Sequence, residues 1–509
     1  MADCDLCAEV VIQNCENIYR TCGDSTCACG KLERLNRRVS EAEDLLQNLY
    51  HQRHDLMPTL KLNVVHPSII HRMPVEISTN IFALCLDFCT PLDLGAVCQA
   101  WRNLVWSTPS LWASIDLSFG PFLTPSHIDI TQEWLERARG LPLWITFSIR
   151  GGFRDHWWQR LYPLVDLLSD HAWHWYFLDL DCLPGPLLHR FSDLEHTSST
   201  LRRFSLKGSG SSPTSLNIRN FRAEFLRLED PNFDLADLCW TDVTEIRAVL
   251  ALNQILRAFE LAPRVTICAF EVNKCIEDFT RTTPFLHPFV QSLVLQSGSS
   301  LQGQGLSLVF KQLLNGITLP ALERLTIEVD SDQTNADMRR IDTGSALCNL
   351  LIRSACTLKE LSISGLSLTN GNIIQIARTH PSLTKLSLFS SIATAWDANY
   401  LLSILPNEPL LPSLECFTFD SGRAPFPWDL LPGLFLPFAL GTALAQRPLR
   451  LVDISCDCST IPKIGSDIMQ QLATFASTME LKMQVRSGER SNRKIDLLEK
   501  YIEEMDAVA

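Results

Sequence analysis

The chain lacks the motifs that announce a chemistry. It has no G-x-S-x-G elbow, no Walker-type phosphate loop, no H-E-x-x-H pair and no kinase signature set. We therefore expect no active site of its own and no cofactor. The segment from Gly208 to Ser212, followed by Pro213, reads as a loop, and Asp330, Asp332 and Asp337 sit in a polar surface insertion, DSDQTNAD. Long hydrophobic runs are missing too. The best one, Leu430 to Ala445, is interrupted by Pro432 and Pro437 and falls short of the ~20 residues of a membrane span. The opening MADCDLCAEV is short and acidic, unlike a secretory leader, and no Asn-x-Ser/Thr sequon occurs. Positive charge is scarce: 44 Lys and Arg stand against 57 Asp and Glu, for a net charge of −13. Neither nucleic acid nor an anionic membrane is a favoured partner for such a chain. These absences together predict a cytoplasmic or nuclear protein.

Cysteine, by contrast, is plentiful at 18. Twelve are scattered singly through later segments, as at Cys239, Cys268 and Cys348, and read as small buried hydrophobes in a reducing compartment. The other six crowd the first thirty residues. Cys4-x-x-Cys7 has zinc-knuckle spacing and Cys27-x-Cys29 offers another ligand pair. The second pair is not C-x-x-C, and the spacing between the pairs fits no zinc module. We expect no metal and a poorly ordered, thiol-rich stretch over 1–30.

Next comes a charged segment in which Leu32, Leu35, Val39, Ala42, Leu46, Leu49 and Leu56 recur at alternating three- and four-residue steps. This heptad-like stripe predicts a helix over 31–66. Arg53 falls on the stripe and weakens its end. The stripe is long enough for a coiled-coil dimer. We expect a single helix lying against the rest of the protein.

Residues 73–112 carry the strongest pattern. Pro74 marks a helix start. Ile77, Ile81, Leu84 and Cys85 form one apolar face, which Phe82 widens. Thr90-Pro91 is a second start signal. Leu94, Val97, Cys98, Trp101, Leu104 and Val105 then follow the spacing of one amphipathic helix. Thr108-Pro109 ends it, and Leu111 and Trp112 open a third short element.

This stretch resembles an F-box. The matching pieces are Met73-Pro74-Val75-Glu76-Ile77, Ile81-Phe82, Leu92-Asp93-Leu94, Val97-Cys98-Gln99-Ala100-Trp101-Arg102 and Pro109-Ser110-Leu111-Trp112. Met73 stands where the family usually has leucine, a mild departure. The version is similar to the F-box-like form of mushroom-type fungi, where a long helix leads in through a His-Pro-x-Ile-like linker, here residues 66–72. The resemblance implies docking onto a Skp-type adaptor and, through it, a cullin and a RING subunit. The residues it places at that surface are Pro74, Ile77, Ile81, Phe82, Leu92, Val97, Cys98, Trp101, Leu104 and Trp112. Some of them must form the unit's own core, and the sequence does not divide them.

After Trp112, short strings of the form L-x-x-L-x-L recur, with Val or Phe at some positions. They start at Leu201, Val290, Leu322, Leu358, Leu383, Leu414 and Leu449. Their last three positions alternate as a strand does. Leu358 to Leu383 spans 25 residues, a leucine-rich-repeat length, with a helix around Ile373, Ile374 and Ala377 between the strings. Other spacings run to 36, 31 and 35 residues, and no ladder asparagine is evident. Between Trp112 and Leu201, residues 128–139 read as a helix and 143–149 as a strand. Trp157, Trp158, Trp173 and Trp175 read as packing residues. Ile495, Leu498, Ile502 and Met505 suggest a C-terminal capping helix.

The expected fold class is α+β: an N-terminal helix and a three-helix F-box, then an irregular α/β leucine-rich-repeat-like solenoid. The domains are 1–30, 31–66, 67–116 (the F-box), 117–485 (the solenoid) and 486–509 (a terminal helix). The expected function is substrate recognition in a Skp-cullin-F-box ubiquitin ligase, with a protein substrate on the repeats. A leucine-rich scaffold with no ubiquitin role is the alternative.

Overall fold

In a computed structural model of the chain, the apolar positions of the L-x-x-L-x-L strings line up as continuous buried rows. The structure describes residues 28–63, 73–86, 88–120, 126–150, 157–192, 200–208, 222–229, 235, 238–273, 283–298, 304–329, 342–389, 398–422, 426–440, 443–458, 462, 464–487 and 494–506. Two units are distinguished: residues up to Cys89 with Val97–Leu104, and Thr90–Ala96 with Val105 onward. No helix among the described residues is long and apolar enough to cross a membrane.

The first unit holds α1 (Ala28–Asn63), α2 (Val75–Cys85) and most of α4 (Gln99–Ser107). α1 begins three residues earlier than expected, and every described side chain from Lys31 to Asp55 is exposed. No described residue covers those side chains. Cys4, Cys7 and Cys27 and the linker at 66–72 lie outside the described residues. Cys29 falls in the first turn of α1.

The second unit opens with α3 (Pro91–Val97) and a 3-10 turn at Pro109–Trp112. Mixed helix and strand follow, around one large, almost wholly parallel sheet. Its strands are β1 (Ser114–Phe119), β2 (Leu143–Ile149), β3 (Trp175–Asp181), β4 (Arg203–Lys207), β5 (Phe225–Leu228), β6 (Glu245–Leu250) and β7 (Ile267–Val272). A short strand β8 (Phe285–Leu286) pairs with β10 (Ile317–Thr318) outside it. The sheet continues through β9 (Ser292–Ser297), β11 (Arg324–Glu328), β12 (Glu360–Ser364), β13 (Lys385–Phe389) and β14 (Cys416–Asp420). A ribbon of β15 (Phe438–Leu440) and β16 (Ala443–Ala445) stands apart. β17 (Leu451–Cys458), β18 (Glu480–Ser487) and the antiparallel β19 (Lys494–Asp496) complete the sheet. Spatial order follows chain order throughout. Apart from β18 and β19, successive strands of this sheet are therefore parallel neighbours joined by crossovers.

Register explains the stability of this arrangement. Ile246, Cys268, Leu293, Leu325, Leu361, Leu386, Phe417 and Val452 are paired in one row. Ala248, Phe270, Leu295, Ile327, Ile363, Leu388, Phe419 and Ile454 form the next. All are buried, and each large member contributes roughly 1.5–3 kcal/mol by leaving water. Burial alternates along the strands, so one face is packed and the other open. The seven strings all fall in these rows. The rows also run through β5, β6 and β7, led by Ala223, Val243 and Val265, which the leucine pattern does not reveal.

Crossover helices close with local chemistry. In α5 (Ser126–Ala138), Trp134 donates its indole N–H to the Trp112 carbonyl at 2.9 Å. The helix at Asn370–Thr379 starts on a reciprocal cap: Thr369 accepts from the Asn372 N–H, and Asn372 Oδ1 accepts from the Thr369 N–H. Ile373, Ile374 and Ala377 are buried on it as expected. Gly365, at φ +72°, turns the chain where an added Cβ would sit 2.2 Å from the Val329 carbonyl. Two arginines staple helix ends from inside. Arg353 donates to the carbonyls of Leu314 and Ile317, and Arg447 to those of Leu405, Leu410 and Leu434. Burial lowers the Arg447 pKa to about 10.

The C-terminal stripe divides. Ile495 lies in β19, opposite Val485, and the last helix spans only Leu497–Asp506. Asp496 accepts the N–H groups of Leu498 and Glu499, which starts that helix one residue after the strand. Cys268 and Cys348 are buried with their thiols pushed up by desolvation, whereas Cys239 is half-buried. Trp157, Trp158 and Trp175 are core residues, but Trp173 is exposed.

Candidate adaptor-docking surface

In the first unit Pro74 is the N-cap rather than the first helical residue, and its carbonyl accepts the N–H groups of Ile77 and Ser78 at 3.1 Å. The predicted apolar face of α2 is turned outward. Ile77 is 49% exposed and Ile81 41%, with Val75 and Leu84 more open still. Phe82 packs inward at 1% exposure, its ring 4.8 Å from that of Trp101. The unit buries Phe82 beside the half-buried Trp101 and leaves a helical stripe of branched residues in water. Phe88, in the loop after α2, is 92% exposed. No periodicity marks Phe88, but a bulky aromatic in the short turn LDFCT is itself the signal. Val97 and Cys98 are exposed and Leu104 is half-buried.

The long amphipathic helix predicted from Leu94 to Val105 is two helices. Cys98 is not helical, and its carbonyl accepts the Arg102 N–H at 3.0 Å. The Thr90-Pro91 start is as expected. Thr90 donates to the Asp93 carboxylate through its N–H and its hydroxyl, at 2.8 and 2.7 Å. Those bonds, the hydroxyl's first, hold the Asp93 pKa below the usual carboxylate value. Leu92 is exposed on this helix.

Trp112 is part of the chain's own core. It is 2% exposed and donates its indole N–H to the Val105 carbonyl at 2.8 Å. Trp106 and Trp134 meet it edge-on, and the Arg137 guanidinium lies 4.6 and 4.8 Å from the Trp106 and Trp112 rings. Gly95 leaves the space for Trp106, because an added Cβ would come within 2.0 Å of that ring.

The open sheet face carries a second set of exposed groups. A bulge between β2 and β3 pairs Leu143 with Trp175 but Trp144 with Phe177. Tyr176 and Phe177 both therefore reach Trp144, at 5.5 and 5.4 Å. Further along, Phe225 lies between Arg203 and Arg247, at 5.5 and 5.7 Å. Arg227 pairs with Glu229, one residue past the end of β5, and Arg247 with Glu245 in its own strand. Beside them is a groove of about 560 Å³ floored by Ile267, Ala269 and Val294.

No curated protein matches this chain. Residues 70–118, which carry the outward stripe of α2, the α3 cap and the Trp112 core, match the family described as F-box-like.

Proposed function

We propose that this chain is an F-box substrate adaptor of a Skp-cullin-F-box ubiquitin ligase. The observation that carries the reading is the outward stripe of Ile77, Ile81 and Leu84, with Phe88 exposed in the loop after it, inside the F-box-like match. Apolar residues exposed together on one helix and the loop that follows it are costly unless a partner covers them. A Skp-type adaptor is the partner that F-box domains generally bind. Pro74, Ile77, Ile81, Leu92, Val97, Cys98, Trp101 and Leu104 are the residues we assign to docking, with Phe88 added and with Phe82 and Trp112 moved to the core.

The sheet region is, in this reading, a degenerate leucine-rich solenoid, supported by its in-order parallel strands and repeated buried rows. Its open face takes a protein substrate, with Trp144, Phe225 and Arg247 as anchors of the types that dominate interfaces. The chain makes no bond itself. It raises the effective concentration of substrate lysines near a ubiquitin donor carried by the cullin and RING subunits.

The test is co-expression of the full chain with a Skp-type adaptor and a cullin, followed by affinity purification. Both subunits should co-purify with the wild type, and both should be lost with Ile81→Asp plus Phe88→Asp. Adaptor without cullin would favour a scaffold with no ubiquitin role, and neither subunit with folded wild type would end the ligase reading.

A further inference from the structure

We propose that α1 pairs with the same helix of a second copy of this chain, as a parallel, in-register coiled coil. The seam is formed. Leu32, Val39 and Leu46 occupy the first core position of successive heptads, and Leu35, Ala42 and Leu49 the second. The five larger members are between 49% and 57% exposed, so nothing in the described chain covers them. Every residue at the three positions farthest from the seam is polar from Glu33 to Asp55. One of them, Arg37, makes an ion pair with Glu33 along the outer face.

Charge complementarity selects the partner and its direction. In a parallel pair, the residue just before each first core position faces the one just after the following second core position of the other helix. Those pairs are Lys31 with Asn36, Arg38 with Glu43, and Leu45 with Tyr50. One is an attraction, one an apolar contact that widens the seam, and none sets like charges together. An antiparallel pair would set each flanking position against its own kind. The charged residues of one flank are both cations, Lys31 and Arg38, and the other flank's is Glu43, so that arrangement makes no opposite-charge pair. Arg53 at a first core position, with Pro58 after it, marks where the seam ends.

A dimer would display two copies of the exposed α2 stripe at once, which strengthens attachment to any paired partner. The inference stands whether or not the ligase reading holds.

Sedimentation velocity of the full-length protein in reducing buffer, across a dilution series, tests it. The mass should rise from that of the 57.4 kDa chain towards twice that value with concentration. Leu35→Glu plus Leu49→Glu should remain monomeric throughout. Arg38→Glu should shift dissociation to higher concentration, and adding Glu43→Arg to it should restore the wild-type curve. The double reversal separates a specific seam from a variant that merely loses helix, which circular dichroism also reports. A wild type that stays monomeric overturns the proposal. So does a dimer that survives both seam glutamates, or a loss that the reversed pair does not recover.

Discussion

The two units place their apolar residues in opposite ways. In the first, Ile77, Ile81, Leu84 and Phe88 are in solvent, and only Phe82 and Ser78 among the residues of α2 are buried. In the second, the large residues of each strand's packed face are buried nearly without remainder. A short helical unit cannot bury much of itself. A parallel sheet with buried rows at alternate register positions packs one strand's apolar face beside the next. The same residue types thus form an exposed helical stripe in one place and a core in the other.

The contrast is sharpest in paired substitutions. Phe270→Ala opens a cavity beside Phe259 and should cost about 3–5 kcal/mol in urea denaturation. Phe88→Ala should change stability by no more than about 0.5 kcal/mol while weakening adaptor binding. Equal destabilisation by the two would erase the distinction. Next in size, Arg447→Ala leaves the carbonyls of Leu405, Leu410 and Leu434 without their buried donor. It should lower stability by about 3 kcal/mol, measured the same way. Gly95→Ala drives a methyl against Trp106 and should cost about 1–3 kcal/mol; an unchanged melting temperature would show that the α3 turn adapts freely.

The mildest effect is on pH. Burial lowers the pKa of His174, His287 and His380, so below their usual range the unfolded chain takes up protons that the folded one does not. Stability should therefore fall as pH drops from roughly 7 through roughly 6.5 towards the lowered values. Asp93 and Asp342 are shifted down from below pH 4 and contribute nothing in that window. Replacing His287 and His380 with Asn should flatten the thermal-melting profile between these pH values. A profile as steep as the wild type's would assign the pH dependence to other groups.

Much of this organisation was legible from local spacing. The Thr90-Pro91 start, the strand at 143–149 and the strings from Leu201 onward depend on residues within one turn or strand. Three things were not legible. The face that a helix turns inward depends on what packs on it, so the sequence did not divide Ile77, Ile81 and Phe82 between an outer face and the unit's own core, and Phe82 alone of the three is buried. The break at Cys98 interrupts a pattern whose apolar spacing continues across it. The rows through β5 to β7 carry Ala, Val and Cys where the pattern asks for leucine, so only register exposes them. Trp144 was readable by alternation, since it stands out of phase with Leu143, Ile145 and Phe147.

The most direct measurement is calorimetric titration of the purified full chain with a Skp-type adaptor, wild type against Ile81→Asp plus Phe88→Asp and against Phe270→Ala. The account predicts saturable binding that falls at least about a hundredfold in the α2 double variant, whose melting temperature is unchanged, and is kept by folded Phe270→Ala. Wild-type affinity in the double variant would contradict it.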